Sequence, residues 1–292
     1  MFKNPVCAEV EIGLGVPRDS VRIILQEGEK RLIQSKIERD ISDLMNRFAN
    51  EFLDSLSKID GFILKSKSPS CGTISTRYYS GIQKGASVKE TGPGFFGEAV
   101  IEEFPMYPIE TGGRLRNFRI REHWLTKLYA HARFNRIRKK FSIGDLIDYH
   151  TRHKFILMAY DQVGMRKLGK LVGNQAQLDD DLLFDKYEQK LKELLLTPPK
   201  YTSNINVLMH ALGYFKRHLS HKEKAYFLDI LEQYRSGWVP LFLPISILES
   251  WIVRFDEEYL QNQYFFNPYP EELIKFDLKD TWRGRDYWQH KE

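Results

Sequence analysis

The sequence predicts two domains, an α/β domain built on a parallel sheet at the N-terminal end and an all-α domain after it. Three observations support this. Strand-like and helix-like segments alternate up to about Glu110, helical periodicity runs almost unbroken from Ile120, and 292 residues suit two domains of ordinary size. Hydrophobic residues form 42% of the chain, which is enough for packed cores and excludes a disordered chain.

The first domain mixes both kinds of element. Residues 29–59 carry apolar side chains at three- and four-residue spacing, which predicts one long helix. Residues 62–64, Phe-Ile-Leu, are typical of a buried strand, and the polar loop 65–72 follows them. The glycine-rich loop 91–97 leads into a predicted short helix over 98–104. Ligands of parallel α/β sheets bind beyond the C-terminal ends of the strands, so we expect the site at such loops.

The domain boundaries follow from the linker composition. We assign residues 1–112 to the α/β domain and residues 120–255 to the helical domain, with a Gly- and Arg-containing linker over 111–119. Residues 256–292 are predicted to form a C-terminal tail.

The chain shows no signal for export or for a membrane. The first residues lack the pattern of a signal peptide, and prolines interrupt the longest apolar stretch, around residues 238–247. With two cysteines and no disulfide framework, a cytoplasmic protein is expected.

Positive charge is concentrated in residues 114–154. This segment holds twelve Lys and Arg residues against three acidic ones, a local excess of nine, whereas the whole chain carries +5. Such a concentration favours a phosphate-bearing partner, and tRNA is the partner that we predict. The residues predicted to contact RNA are Arg133, Arg136, Lys140 and Arg152, interleaved with Tyr129, Phe134 and Tyr149. A solvated helix face or a protein-docking face is the alternative interpretation.

The two cysteines, Cys7 and Cys71, are candidate metal ligands. A free cysteine is most often a small buried hydrophobe, and that interpretation stays open. Cys71, however, lies in the Ser- and Lys-rich loop 65–72, where Lys65 and Lys67 favour the thiolate that a metal or cluster requires.

These segments resemble those of a known family. The stretch from Pro5 to Arg18 resembles the Cys-Pro-Glu segment of TudS-like thiouracil desulfidases, and residues 65–72 resemble their Lys-Ser-x-Ser-Pro-Ser-Cys-Gly loop. Gly92-Pro93-Gly94-Phe95-Phe96 resembles their last loop. Residues 123–237 resemble the YbgA-like domain of unknown function, and the fusion resembles RudS-type proteins, which are linked to removal of sulfur from 4-thiouridine in tRNA.

The resemblance implies a [4Fe–4S] cluster held by three cysteines, with Cys7 and Cys71 as two of the ligands. The open iron then binds the thiocarbonyl sulfur, and water replaces that sulfur without net redox change. In this interpretation Glu9 is the catalytic acid/base, and Ser68 positions substrate or water, with Ser66 and Ser70 as alternates. The competing interpretation pairs Glu9 with Arg18 or Arg22 and makes the serines loop caps.

The chain departs from the family pattern at its start. The family's first cysteine, its loop and its first strand lie upstream of the Cys-Pro-Glu segment and are absent here, and Ala8 replaces the usual proline. The α/β domain is therefore expected to lack its first strand and to leave a sheet edge unpaired.

Three functions remain open from the sequence. The leading one is iron–sulfur-dependent desulfidation of 4-thiouridine in tRNA, with the helical domain as an RNA clamp. The second is an RNA-binding remnant without a cluster, and the third is desulfidation of free thiobases such as thiouracil.

Overall fold

A computed structural model of the chain describes residues 5–56, 59–174 and 179–273. The chain divides into two compact units, the first ending at Leu128 and the second beginning at Tyr129. No helix in these described ranges combines the length and the apolar character that crossing a bilayer requires.

Among the described residues, the first unit contains seven strands and three complete α-helices. The strands are β1 Val21–Gln26, β2 Glu29–Gln34, β3 Arg39–Asp40, β4 Phe62–Leu64, β5 Thr76–Tyr79, β6 Val88–Gly92 and β7 Ile109–Thr111. The helices are α1 Ala8–Glu11, α2 Ser42–Asp54 and α3 Phe95–Glu103. The strand predicted over 62–64 is confirmed, and the short helix predicted over 98–104 is present as α3, which begins three residues earlier.

The α/β class of the first unit is confirmed, but its main sheet is mixed. Five strands lie in the order β3-β2-β1-β5-β6, and in this sheet only β1 and β5 run parallel. A second, two-stranded sheet pairs β4 with β7 in parallel. The antiparallel pair β1–β2 is closed by a two-residue turn in which Glu27 and Gly28 both have positive φ, 53° and 86°. A hairpin of this kind needs no crossover helix, so the sheet is not all-parallel.

The long helix predicted over residues 29–59 is wrong in its first half. Residues 29–34 form β2, paired with β1 from Gln26↔Glu29 to Val21↔Gln34, and α2 begins only at Ser42. The apolar residues Leu32, Ile33 and Ile41 satisfy a helical spacing, but all three are buried through the hairpin and the start of α2. Tertiary pairing therefore overrides the local periodicity here.

The strand β4 has an open side. Among the described residues its only partner is β7, and the central side chain Ile63 is 52% exposed. Within the described residues, the backbone of β4 is therefore unpaired along one edge.

The core of the first unit lies between the sheet and the helices α2 and α3. Phe96 of α3 packs against Phe48 and Phe52 of α2, with ring centroids 5.9 Å and 5.7 Å apart. This contact fixes the N-terminal end of α3, which borders the cysteine loop described below.

The second unit is all-α, as predicted. Its helices are α4 Phe118–Lys140, which begins in the first unit, α5 Ile143–Tyr160, α6 Gln162–Gly173, α7 Asp180–Leu194, α8 Tyr201–Tyr214, α9 His221–Arg235, α10 Phe242–Phe255 and α11 Glu258–Gln261. The largest buried side chains include Phe134, Phe184, Tyr187 and Phe215.

The helical unit continues past residue 255, where the tail was expected to begin. Leu260 of α11, Phe265 and Phe266 belong to the hydrophobic core, and Tyr269 is 5% exposed. A 3-10 turn follows at Glu271–Leu273, and the rest of the expected tail, residues 274–292, lies outside the described residues.

Candidate functional site

The first cysteine stands at the start of the short helix α1. Cys7 is exposed, and its carbonyl oxygen accepts hydrogen bonds from the N–H groups of Val10 and Glu11 at 2.9 Å and 3.0 Å. Ala8, the residue that replaces the family's proline, is buried in the core and anchors the turn. The backbone of this turn therefore fixes Cys7 and Glu9 two residues apart on one short element.

The second cysteine lies in a loop that is capped from inside by Ser68. The Ser68 hydroxyl accepts hydrogen bonds from the N–H groups of Ser70 and Cys71 at 3.3 Å and 3.2 Å. Its carbonyl oxygen accepts from the Gly72 N–H and from the Thr76 hydroxyl. With Ser68 only 4% exposed, its side chain holds the loop in shape.

The N-terminal end of α3 locks the same loop from the other side. The N–H groups of Gly94 and Gly97 donate to the carbonyl oxygens of Gly72 and Ser70 at 2.8 Å and 2.9 Å. A Cβ atom at Gly97 would lie 2.2 Å from the Gly72 oxygen, so no side chain fits there. The glycines of the predicted loop 91–97 thus permit close backbone contact with the cysteine loop.

Glu9 joins the two cysteine segments. The Ser70 hydroxyl donates to Glu9 Oε1 at 2.7 Å, and Arg18 Nε donates to Glu9 Oε2. Arg18 also directs Nη2 at the Cys7 sulfur, 3.7 Å away. The side chain of Glu9 is only 12% exposed, so this carboxylate is held by an ion pair and a hydroxyl in a mostly buried position.

The surroundings act strongly on Cys71. Burial, followed by the charges of Glu9 and Cys7, raises the pKa of the Cys71 thiol to about 11, while Ser68 and Lys65 act in the opposite direction. Without an electrophile or metal the thiol is therefore protonated at neutral pH. The lysines of the loop do not produce the thiolate that the sequence led us to expect.

The two thiols do not by themselves fit a cluster held by three cysteines. Over residues 5–56, 59–174 and 179–273, no three His, Cys, Asp or Glu side chains converge so that they could hold a metal ion. Cys7 and Cys71 supply two sulfur ligands, one exposed and one largely buried.

The predicted catalytic residues do lie together, but their roles differ from residue to residue. The side chains of Glu9, Cys7 and Cys71 lie close together in the folded chain. The hydroxyl of Ser68, the residue predicted to position substrate, accepts hydrogen bonds from the loop backbone. The alternate, Ser70, contacts Glu9. The pairing of Glu9 with Arg18, weighed as an alternative, is present.

The predicted RNA-contacting residues separate into two groups. Arg133 and Arg152 converge on one aromatic ring, that of Tyr264, with guanidinium carbons 3.7 Å and 4.7 Å from its centroid. Arg136 is exposed, and Lys140 lies 3.4 Å from Asp145. Tyr264 was not predictable from the sequence, because it lies more than a hundred residues from both arginines, in the segment expected to be a tail.

Two of the three aromatic residues expected to stack on bases, Phe134 and Tyr149, are core residues, whereas Tyr129 is half-buried. Phe134 is 1% exposed and Tyr149 is 4% exposed, and the Tyr149 hydroxyl donates to the Ala130 carbonyl at 3.0 Å. Phe134 stacks on Tyr187 with ring planes 7° apart. Phe134 on α4 and Tyr149 on α5 therefore contribute to the core of the helical unit, although basic residues flank them in the sequence.

Two histidines next to this group are uncharged at neutral pH. Burial, with a contribution from Lys154, lowers the pKa of His150 to about 4. Burial, with contributions from Arg133 and Arg152, lowers the pKa of His153 to about 3, although its bond to the Tyr149 carbonyl opposes the shift. These imidazoles serve as packed polar rings.

Comparisons with known proteins match the two units separately. The family described as 2-thiouracil desulfurase matches residues 2–112, and the family described as protein of unknown function (DUF1722) matches residues 154–270. The chain is 31% identical over 150 residues to the protein "Uncharacterized protein YbgA" of Escherichia coli (strain K12), a match that covers 50% of this chain and 88% of that protein. No solved structure matches the chain.

Proposed function

The chain belongs to the family of Escherichia coli YbgA and carries a 2-thiouracil desulfurase domain over residues 2–112, and on this premise we propose that it removes sulfur from 4-thiouridine in tRNA. The reaction converts the thiocarbonyl group and one water molecule into a carbonyl group and hydrogen sulfide. The atoms balance without an oxidant or a reductant, and the side chains of this chain contribute positioning and proton transfer.

The observation that supports this function is the position of Glu9. Its carboxylate lies between the two cysteine segments and accepts from Ser70 and Arg18. We propose that Glu9 takes a proton from the attacking water, because a carboxylate oriented by two fixed donors has its remaining lone pairs in a defined direction. Ser70 and Arg18 then hold the carboxylate in place while the proton moves.

Cys7 and Cys71 would be two of the ligands of the [4Fe–4S] cluster that the resemblance implies. Two thiols predict fewer than four irons per chain after anaerobic reconstitution, as measured by iron and sulfide counting. Four irons per chain would show that a further ligand completes the site.

The proposed substrate is a base within tRNA because positive charge is concentrated in residues 114–154 of the chain. A free thiobase carries no phosphate and needs no extended basic surface. Free 2-thiouracil remains the second candidate, because the matched family is described by that compound.

The test compares sulfide release from a tRNA containing 4-thiouridine and from 2-thiouracil, using the full chain reconstituted anaerobically with iron and sulfide. Glu9→Gln should lower the rate by roughly two to four orders of magnitude, the usual contribution of general base catalysis. Glu11→Gln is the matched control, since Glu11 lies in the same short helix and is exposed.

Each outcome has a separate meaning. Faster release from the tRNA supports the proposal, and faster release from 2-thiouracil supports the free-base alternative. Tight tRNA binding by a chain that takes up no cluster on reconstitution and releases no sulfide would support the RNA-binding remnant. A Glu9→Gln variant as active as Glu11→Gln would remove Glu9 from the mechanism.

A further inference from the structure

We propose that Arg133, Arg152 and Tyr264 form a clamp for a single phosphate group of the RNA, with Tyr264 as the platform that orients both guanidinium groups. The proposal rests on an RNA substrate, but it concerns a site in the helical unit that works independently of the sulfur chemistry. Its residues come from α4, α5 and the segment after α11.

The platform is fastened to α5 by its backbone. The Tyr264 N–H donates to the Arg152 carbonyl at 2.9 Å. The neighbouring Gln263, 2% exposed, donates its side-chain amide to the Thr151 carbonyl at 2.8 Å and accepts from the Phe155 N–H at 3.2 Å. These bonds fix the Tyr264 ring relative to the helix that carries Arg152.

Both guanidinium groups lie against that fixed ring. Their central carbons are 3.7 Å from the ring centroid for Arg133 and 4.7 Å for Arg152. Stacking on an aromatic ring restricts the rotamers of an arginine, so both guanidinium groups are held in place before an anion binds. Arginines held in this way lose little entropy when they bind a phosphate.

The clamp lacks a counter-charge for Arg133. Burial lowers the pKa of Arg133, and the like charge of Arg152 lowers it further, while three neighbouring tyrosines act in the opposite direction. No carboxylate of the described residues acts on this pKa. Arg133 Nη1 is buried and has no hydrogen-bond partner among the described residues, and the same is true of Nε2 of the fully buried His153. Arg152 has one acidic neighbour, Asp148, at 3.8 Å and largely exposed.

An anion would relieve this arrangement. Two neighbouring positive charges, one of them half-buried without a carboxylate, repel each other and are costly to desolvate. A phosphate diester offers oxygens to both guanidinium forks at once, which is the geometry that arginine recognises best. The clamp therefore binds the sugar-phosphate backbone of the RNA and does not read the base sequence.

The experiment measures binding of a fluorescently labelled, unthiolated tRNA transcript to the full chain by anisotropy, across a salt titration. The test variants are Arg133→Gln, Arg152→Gln and Tyr264→Leu. The matched control is Arg254→Gln, because Arg254 also stacks on a ring, that of Phe255 at 5.0 Å, but has a carboxylate partner in Glu223.

We expect each arginine variant to bind about tenfold more weakly, the usual effect of losing a charge-assisted hydrogen bond. The slope of log K against log salt should fall by about one in these variants. Tyr264→Leu keeps both charges and should still weaken binding severalfold, because the arginines lose their platform. Arg254→Gln should bind like the wild-type chain, and thermal unfolding of every variant checks that the fold is retained.

Two results would overturn the clamp. One is tRNA binding by Arg133→Gln and Tyr264→Leu that equals the Arg254→Gln control. The other is a wild-type chain with no affinity for the transcript at low salt, the result expected if this surface docks a protein. Because the transcript carries no sulfur, failure of the desulfidation assay alone leaves the clamp standing.

Discussion

Among individual residues, Ser68 and Ser70 show how two identical side chains in one loop take different tasks. Ser68 points into the loop and caps two backbone N–H groups, while Ser70 points away from the loop backbone and donates to Glu9. Their exposures, 4% and 0%, do not distinguish them, but their hydrogen bonds do.

This division predicts opposite phenotypes for two alanine variants. Ser68→Ala leaves two buried N–H groups of the loop without their acceptor and should destabilise the first unit by about 1–3 kcal/mol. Ser70→Ala removes a donor to Glu9, and we expect it to lower desulfidation more than stability. Thermal unfolding and sulfide release from the same samples measure both effects, and identical behaviour of the two variants would contradict the assignment.

The two cysteines should differ in reactivity in the cluster-free chain. Cys7 is exposed, whereas burial raises the pKa of Cys71 to about 11, so Cys71 is a thiol at neutral pH. Iodoacetamide at pH 7.5 should therefore modify Cys7 and leave Cys71 largely unmodified, as read by peptide mass spectrometry. Glu9→Gln should speed the Cys71 reaction, because the Glu9 charge contributes to that high pKa. Equal labelling of both thiols in the wild-type chain would refute the expectation.

Lys127 makes the first unit sensitive to alkaline pH. The residue is 6% exposed and its ammonium group donates to the Tyr107 carbonyl at 3.1 Å, and burial lowers the pKa of Lys127 from 10.5 to about 8. The unfolded chain binds this proton more tightly than the folded chain does. Burying the charged ammonium group therefore lowers the free energy of unfolding by its full amount below pH 8, and this loss of stability fades as pH rises towards 10.5. As pH rises through this window, the unfolding temperature of the wild-type chain should increase relative to that of Lys127→Met. A constant difference between the two would contradict the shift.

At the scale of elements, the contact between α3 and the cysteine loop depends on glycine. The backbones of Gly97 and Gly72 approach so closely that a Cβ atom at Gly97 would overlap the Gly72 oxygen. Around Gly112, in the same unit, a Cβ atom would meet no atom within 4 Å.

These two glycines form a matched pair of tests. Gly97→Ala should force the loop and α3 apart and destabilise the chain by about 1–3 kcal/mol, with loss of desulfidation. Gly112→Ala should be close to neutral. Unfolding temperatures and sulfide release provide the comparison, and a Gly97→Ala chain as stable as Gly112→Ala would show that the contact can relax.

The elements that sequence predicted correctly are those with a local signal. Phe62–Leu64 is a short apolar run before polar residues, and the helical unit repeats one periodicity for many turns, so both were recognisable. The segment 29–41 was not, because Leu32, Ile33 and Ile41 fit a helix as well as a hairpin, and only pairing with β1 decides between them.

The candidate site was predictable to the same extent. Its motifs point to Cys7, Glu9 and Cys71 as candidates, and their roles stay a prediction. Choosing between Ser68 and Ser70 requires the direction of each side chain in the folded loop. Tyr264 could not be found at all, since its contact with Arg133 spans more than a hundred residues and leaves no local pattern.

For the whole molecule, the concentrated positive charge of the sequence is partly neutralised by the fold. Four of the basic residues lie near carboxylates, in the pairs Arg114–Glu110, Arg138–Asp185, Lys140–Asp145 and Arg152–Asp148. Lys127 is buried. The surface available to phosphate is therefore smaller than the sequence suggests.

This reduction limits the predicted salt dependence. If about four phosphates are neutralised, tRNA affinity of the full chain should fall by about two orders of magnitude between about 50 and 200 mM salt. Anisotropy titrations at several salt concentrations give the slope directly. An affinity that hardly changes with salt would show that the basic segment does not bind phosphate and is an ordinary solvent-exposed helix face.

The low pKa values of His150 and His153 have a consequence for how the chain responds to its surroundings. Both rings are already neutral well below physiological pH, so neither adds a positive charge beside the two arginines there. Their protonation would begin only in strongly acidic medium. A modest change of pH around neutrality therefore leaves the contribution of these two histidines to the surface unchanged.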